Sequence, residues 1–469
     1  CTRPLHRRSH MTRRKRAVLA CMVLASTAAH AEVKGGGNVA ATVRVATTGC
    51  IDEQGVKRVT ACPWMDFRDA AVLSPWVEAR PGSQVRARAA IDLRFHGPTK
   101  AATLEAIDQP GQLQPWSLRI RDLWLGTRSD HFDFKIGSQR IAWGVANGIS
   151  VVDNINPLDL EDPTAFDQRL STLSALAIVH GGDWSASAVA VPFFVPAAMP
   201  ASEMDLMAGA SDLFSTDGTQ VGSIKTHADP PTNTLRDTAF AGQFRWNPPA
   251  VDLAASWYHG RDSLPQVAGN VLLIGYQTDS ERVDVGVPLV YPEIDVASLT
   301  ARGELPADIT GWVEAALVLP QKTLAEPDLN QLNALIRLGT LDAMPDPYPT
   351  TVTQDGKPFA RWIVGLEREL GPVRLTGQWL HGFLTERSVD DLHDYGLLAI
   401  RWGIVSNLRL DVSGASDLSG WLNDTAVVWL HADNLEFSLG ATTIGGPDDS
   451  TFGALKTASH ARLGVSMAF

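Results

Sequence analysis

Beyond residue 31 no stretch of this sequence approaches the ~20 consecutive apolar residues that a membrane-spanning helix requires. That excludes a helical membrane protein but not a barrel, because closed sheets also satisfy every backbone group in lipid. Catalytic signatures are missing as well. No HExxH, paired CxxC or P-loop occurs, and the twelve histidines fall into no recognisable nucleophile–base spacing. His259 near Asp262, and His381 beside Gln378, read as rim or lumen residues. No catalytic residue, metal site or cofactor is therefore expected. A basic excess is absent too: 40 Lys+Arg against 52 Asp+Glu give a net charge of -12, which leaves a nucleic-acid partner without electrostatic support. Tyrosine is sparse, at five residues, and that runs against the usual composition of a barrel with aromatic rims.

Cysteine is nearly absent, and its placement depends on how the N-terminus is read. Met11 reads as the true start, with residues 1–10 an over-called extension. Residues 11–31 then follow the plan of a secretory signal peptide: Arg13, Arg14, Lys15 and Arg16, a short apolar stretch, and Ala29-His30-Ala31 as the small-x-small cleavage pattern. An N-terminal anchor and lipidation at Cys21 are the competing readings. Export leaves Cys50 and Cys62, which in an oxidising compartment imply one bridge closing a local loop, worth roughly 3 kcal/mol in the chain-entropy picture. Two free thiols are the alternative.

Residues 32–469 give no domain boundary and few helical candidates. Period-two alternation recurs instead in segments of about ten residues, the pattern of barrel strands. Val85, Ala87, Ala89, Ile91, Leu93 and Phe95 alternate with Arg86, Arg88, Ala90, Asp92, Arg94 and His96. Residues 251–258, 408–413 and 435–440 behave likewise. Short connections rich in Gly, Pro, Asn and Asp (80–83, 127–131, 181–183, 247–250, 305–308, 371–372, 405–407, 432–434) take turns with long ones. The long ones are 48–71, 97–114, 145–170, 195–237, 261–289, 321–357, 385–393, 417–423 and 443–456. The mean hydropathy of -0.03 suits strands apolar on one side only. The expected fold is all-β: a single transmembrane antiparallel up-and-down barrel of about 18 strands (16–18, since 260–303 parses in more than one way), with both termini in the periplasm.

The carboxyl end is the most specific signal. Ala461, Leu463, Val465, Met467 and Phe469 alternate with polar or small residues up to the final aromatic. This resembles the terminal strand by which the assembly machinery recognises outer-membrane barrels. Trp116, Trp143, Trp184, Trp246, Trp257 and Trp402 fall near expected strand ends, where a girdle at the lipid–water boundary would put them.

Residues opposite the lipid-facing set point into the lumen. That directs Arg44, Arg86, Arg88, Arg94, Arg119 and Arg121 inward, since arginine at mid-bilayer costs ~2–4 kcal/mol. Asp122 then faces lipid unless a bulge intervenes. Asp92, Asp252, Asp295, Glu314 and Asp411 are expected among the lumen charges. Segment 145–170 carries Asp153, Asp159, Glu161, Asp162 and Asp167, with turn formers enough to fold inward. Arginines opposite carboxylates on an inward loop resemble the constriction of porins; a solvated acidic external loop is the other reading.

Ile136-Gly137-Ser138-Gln139-Arg140 and Trp143-Gly144, followed by Asp153, Asn156-Pro157 and Asp159, resemble a segment recurring in proteobacterial porin-like barrels. They are similar, more distantly, to alginate-export-type channels. Gly137-Ser138 stand where that segment usually carries a charged pair. The resemblance implies a Gram-negative outer-membrane barrel passing small polar or anionic solutes. Its partners would be outer-membrane lipid and lipopolysaccharide, the assembly machinery and, by analogy with porins, further copies of itself. A non-transporting adhesion barrel acting through long external loops is the alternative, and a barrel enzyme a more remote one.

Overall fold

A strand with apolar residues at every second position is stable only where one face meets lipid or a core and the other does not. In the computed structural model such strands close into an eighteen-stranded antiparallel barrel. The structure describes residues 32–47, 70–95, 116–162, 164–166, 168–199, 220–228, 230–231, 235–277, 282–328, 331, 333, 337 and 351–469. Residues 11–31, expected as a signal peptide, and Cys50, Cys62 and Asp167 lie outside the described residues.

The barrel begins with β1 (Glu32–Ala46), β2 (Ala71–Arg80), β3 (Val85–Phe95), β4 (Trp116–Arg128), β5 (Phe132–Gln139), β6 (Thr172–His180) and β7 (Trp184–Val191). After β8 (Gln220–Ala228), which lies in a loop, β9 (Ala239–Trp246) and β10 (Val251–Arg261) return to the wall. Loop strands β11 (Gln266–Val267), β12 (Gly269–Gln277) and β13 (Arg282–Val290) precede wall strands β14 (Glu293–Leu305) and β15 (Ile309–Pro320). Loop strands β16 (Thr323–Pro327) and β17 (Thr351–Gln354) follow. The wall is completed by β18 (Phe359–Leu370), β19 (Val373–His381), β20 (Asp394–Val405), β21 (Leu408–Ser416), β22 (Trp421–Ala432), β23 (Leu435–Gly445) and β24 (His460–Ala468).

Each wall strand pairs with the next wall strand in sequence, and β24 returns to β1 with Asn38 opposite Ala468 and Ala46 opposite His460. The closing seam is reinforced at its end. Gly37 N donates to Phe469 O and Phe469 N to Gly37 O, at 2.8 and 3.0 Å. A Cβ on Gly37 would overlap the Phe469 ring, so the terminal aromatic lies against bare backbone.

The alternation is resolved as expected. Val43, Leu73, Leu118, Leu123, Leu125, Leu299, Leu439 and Leu463 lie on the exposed outer face. Two aromatic belts bound it. Trp184, Trp246, Trp402 and Trp429 are exposed at the short-turn end, and Trp116, Trp257, Trp379 and Trp421 at the long-loop end. Trp143 belongs to neither: it is buried inside the barrel, in a loop whose apolar residues pack inward. Asp295 likewise departs from its expected lumen position. It stands opposite outward Leu319 and binds His259 Nδ1 at 3.0 Å, and the His259 ring stacks on exposed Trp257.

Asp122 does not face lipid. Ala90 pairs with Asp122 and Ile91 with Ile120, so Arg121 is the extra residue of a β-bulge. The bulge leaves Ile120 and Leu123 outward while both Arg121 and Asp122 turn inward. The parsing of 260–303 is also settled: β10 ends at Arg261 and pairs directly with β14. Three of the long loops are not featureless. β8, β11, β12, β13, β16 and β17 join into a second, six-stranded sheet.

Leu123, exposed on the outer face near the middle of β4, tests the assignment. Leu123→Arg is expected to lower unfolding stability in phospholipid vesicles by ~2–4 kcal/mol. An unchanged denaturant midpoint would mean that this face does not meet hydrocarbon.

Candidate functional site

Residues 140–171, between β5 and β6, run into the barrel rather than away from it. The loop turns its apolar side chains (Ile141, Trp143, Ile149, Val151, Val152, Ile155, Leu158 and Leu160) into a buried cluster with inward residues of the wall. Those wall partners include Leu176, Val189, Tyr258, Val296, Ile363 and Leu380, contributed by strands around much of the circumference. Burying these side chains, at ~1.5–3 kcal/mol each for the larger ones, is what keeps the loop inside.

The residues that carry the porin-like resemblance do local folding work here. Asp153 Oδ1 accepts from the backbone N–H groups of Trp143 and Gly144. Asn156 Oδ1 accepts from Ile141 N at 2.7 Å, and its Nδ2 donates to Leu170 O at 2.9 Å. Loop closure, more than solute contact, accounts for their pattern.

One acidic side chain of the far wall then receives the loop. Glu314 of β15 is fully buried and accepts from Val145 N, Ala146 N and Val151 N and from the Ser150 hydroxyl. Four donors around one carboxylate satisfy the charge without a cation. Nearby, Arg302 donates to Val145 O, and Gln378 Nε2 donates to Asn147 O at 2.8 Å. Glu314 was expected as a lumen charge; its role as the anchor was not, because its partners lie 163 to 169 residues away in sequence.

The six arginines divide by what they meet. Arg44 pairs with Asp162 at 2.9 Å, Arg94 with Glu161 at 2.7 Å, and Arg119 with both Asp159 and Glu161. Arg121 pairs with Asp92 on the neighbouring strand, and Arg88 with Glu78 and Asp122. Wall arginines and loop carboxylates are thus in direct contact, not facing each other across a solute-sized gap. Asp153 joins none of these pairs. Among the described residues no carboxylate comes within 4.0 Å of Arg86.

Arg86 and Arg88 line a cavity of about 450 Å3 toward the short-turn end of β3–β6, with Glu78, Asp122, Trp124 and Lys135. Lys135 Nζ sits 4.4 Å from the centre of the Trp124 ring, and the Arg88 guanidinium lies 5.0 Å from the Trp76 ring. Cation–π contact holds the Lys135 ammonium and adds to the ion pairs of Arg88.

A second inward segment, 382–393, packs on the first through an edge-on contact between Phe383 and Phe166 at 5.0 Å. Glu386 organises it. Its carboxylate accepts from Phe383 N at 2.6 Å and the Tyr395 hydroxyl at 2.6 Å, and lies 3.0 Å from His393 Nδ1.

No family model and no curated protein matches this chain. Among solved structures, Pseudomonas aeruginosa OpdK crystallised with vanillate is 9% identical, with a TM-score of 0.46 over 94% of this chain and 98% of that one. Acinetobacter baumannii OccAB1 is 8% identical, with a TM-score of 0.46 over 93% and 96%. Salmonella typhi OmpF in complex with daunomycin is 8% identical, with a TM-score of 0.40 over 93% and 97%. The barrel is defined by its own strand ladders, not by these likenesses.

Glu314→Gln replaces an acceptor with an amide whose N–H2 opposes the loop's own donors. It is expected to weaken docking of residues 140–171 by about 1.5–3 kcal/mol. Limited proteolysis at 144–152 reads this directly, and undiminished protection would remove Glu314 as the anchor. The His393 imidazole, held by its hydrogen bond to Glu386, titrates above its ordinary value of 6.5. A raised value means that the link stabilises the segment fully below 6.5 and is lost as pH climbs through the folded-state value. Amide exchange in 382–393 should therefore quicken above that point by more than base catalysis alone explains, and His393→Ala should abolish the excess.

Proposed function

We propose that this protein is an outer-membrane channel through which small polar or anionic solutes diffuse, with residues 140–171 as its constriction. The observation that carries the reading is a loop packed and hydrogen-bonded inside the lumen beside a charged cavity that it does not fill. A barrel that served only to hold external loops would gain nothing from narrowing its own interior. The paired aromatic belts and the apolar outer face suit an asymmetric bilayer, with lipid and lipopolysaccharide as neighbours. The Phe469 strand would serve recognition by the assembly machinery.

The inner charges support a filter by sign. Most wall arginines are neutralised by contact, so preference for anions would come from the cations left over, Arg86 and Lys135 foremost. The six-stranded loop sheet favours a second reading, in which the external loops bind a surface and the pore conducts little.

Single-channel conductance of refolded protein in planar bilayers separates the two. Stable conductance with anion preference is expected. Arg86→Ala combined with Arg88→Ala should reduce or reverse that preference, because Glu78 and Asp122 then line the cavity without their cation. Folded, inserted barrels that pass no current would move the assignment to the adhesive reading.

A further inference from the structure

Deeper in the barrel, toward the long-loop end, a second group of arginines has no place in the scheme above. Arg261 at the end of β10, Arg361 on β18, Arg387 in segment 382–393 and Arg169 at the base of the lumen loop line one small cavity of about 30 Å3. Asp262 is the one carboxylate among the lining residues.

The charges do not balance. Asp262 is engaged by Arg387, through Nη2 at 3.0 Å and a further contact from Nε. Arg261 is satisfied away from the cavity by Asp237 at 3.0 Å and Glu293 at 3.3 Å. Arg169 donates to the carbonyls of Ser150 and Asn156. Arg361 remains. Its residue is only 6% exposed, its Nη2 donates to the backbone carbonyl of Glu386, and its Nε has no hydrogen-bond partner. No carboxylate among the described residues lies within 4.0 Å of it, because the Glu386 side chain is turned to Phe383, His393 and Tyr395. The Phe359 ring, 5.0 Å from the guanidinium, offers a π face but no charge.

A guanidinium keeps its proton at any ordinary pH, so it cannot escape burial by neutralising. A buried, unpaired charge is among the costliest arrangements in a fold, and one water in the cavity would supply a hydrogen bond without a counter-charge. The volume admits a water-sized occupant and little more. We infer that this cavity binds one small monovalent anion, a halide or the carboxylate end of a short acid, between Arg361, Arg387 and Arg169. Asn154, Asn156 and Ser263, which also line it, bring polar side chains to the same space. The bound anion would tie three separate parts of the chain together: the lumen loop, segment 382–393 and the β18 wall. This holds whether or not the barrel conducts.

Bromide is the first probe. Crystals of the full chain grown with sodium bromide should give an anomalous peak in the cavity next to the Arg361 guanidinium. Water alone at that position in bromide-grown and in formate-grown crystals alike would overturn the proposal. In solution, bromide and formate are each titrated into detergent-folded protein against a gluconate background, following denaturant unfolding. At a hundred times the dissociation constant either anion should lower the unfolding constant about 100-fold. Stabilisation by formate but not bromide would assign the site to carboxylates, and by bromide but not formate to halides. No effect from either would sink it. Arg361→Met should abolish the response, whereas an unchanged response in that variant would overturn the location. The crystallographic result stands independently if the variant fails to fold.

Discussion

Hydrocarbon offers no water to a backbone N–H or C=O, and that single constraint dictates most of this molecule. A sheet that must satisfy both its edges in lipid has to close, and closure depends on β1 meeting β24 in register. The seam ends on Gly37 and Phe469, where the two backbones exchange both their hydrogen bonds and the aromatic ring lies over a residue with no side chain. Given closure, each strand has one face in lipid and one in the lumen, so sequence alternation becomes a map of the two environments. The bulge at Arg121 is the exception that preserves the rule: one extra residue lets two adjacent charged side chains both avoid lipid.

Inside the barrel the same accounting applies to a loop instead of a strand. Residues 140–171 bring irregular backbone into a confined space, where unpaired donors are expensive. Asp153, Asn156 and Glu314 answer that cost, each accepting from main-chain N–H groups. The apolar cluster then supplies the cohesion. This division of labour explains why the resemblance segment carries Trp143, Asp153 and Asn156 although none of them borders the larger cavity. Its residues specify how the loop folds.

Much of this was legible beforehand. Short connections at 181–183 and 371–372 fall where β6 meets β7 and β18 meets β19, because Gly, Asp and Pro state their turn preferences locally. The strand count followed from the same punctuation. Of the inward carboxylates, Asp159, Glu161 and Asp162 do meet wall arginines, although in contact and not across an opening. What escaped depends on distance along the chain. Glu314 looks like any lumen acid until the loop arrives from more than 160 residues away. The loop sheet joins segments from three connections, two of its pairings parallel, and leaves no local period. Trp143 was placed at a membrane rim because proximity to a strand end cannot tell a girdle from a buried loop. Asp295 was assigned inward by its charge, and its position opposite His259 shows that a polar pair at the rim satisfies the same rule.

The two kinds of electrostatic contact in the lumen respond differently to salt, and that bears on how such a barrel could keep its shape while remaining sensitive to its surroundings. Arg88, Arg119 and Arg121 keep a quarter or more of their side chains exposed, so their pairs are open to screening by dissolved ions. Glu314 is fully buried and held by backbone and hydroxyl donors, which mobile ions neither reach nor replace. Rising ionic strength therefore weakens the field along the arginine wall while leaving the loop anchored. The lumen thus separates the position of its loop, fixed by neutral donors on a buried carboxylate, from the ion pairs of the arginine wall, which stay partly hydrated. The arrangement keeps the inward loop from loosening under salt changes that weaken the exposed pairs around it.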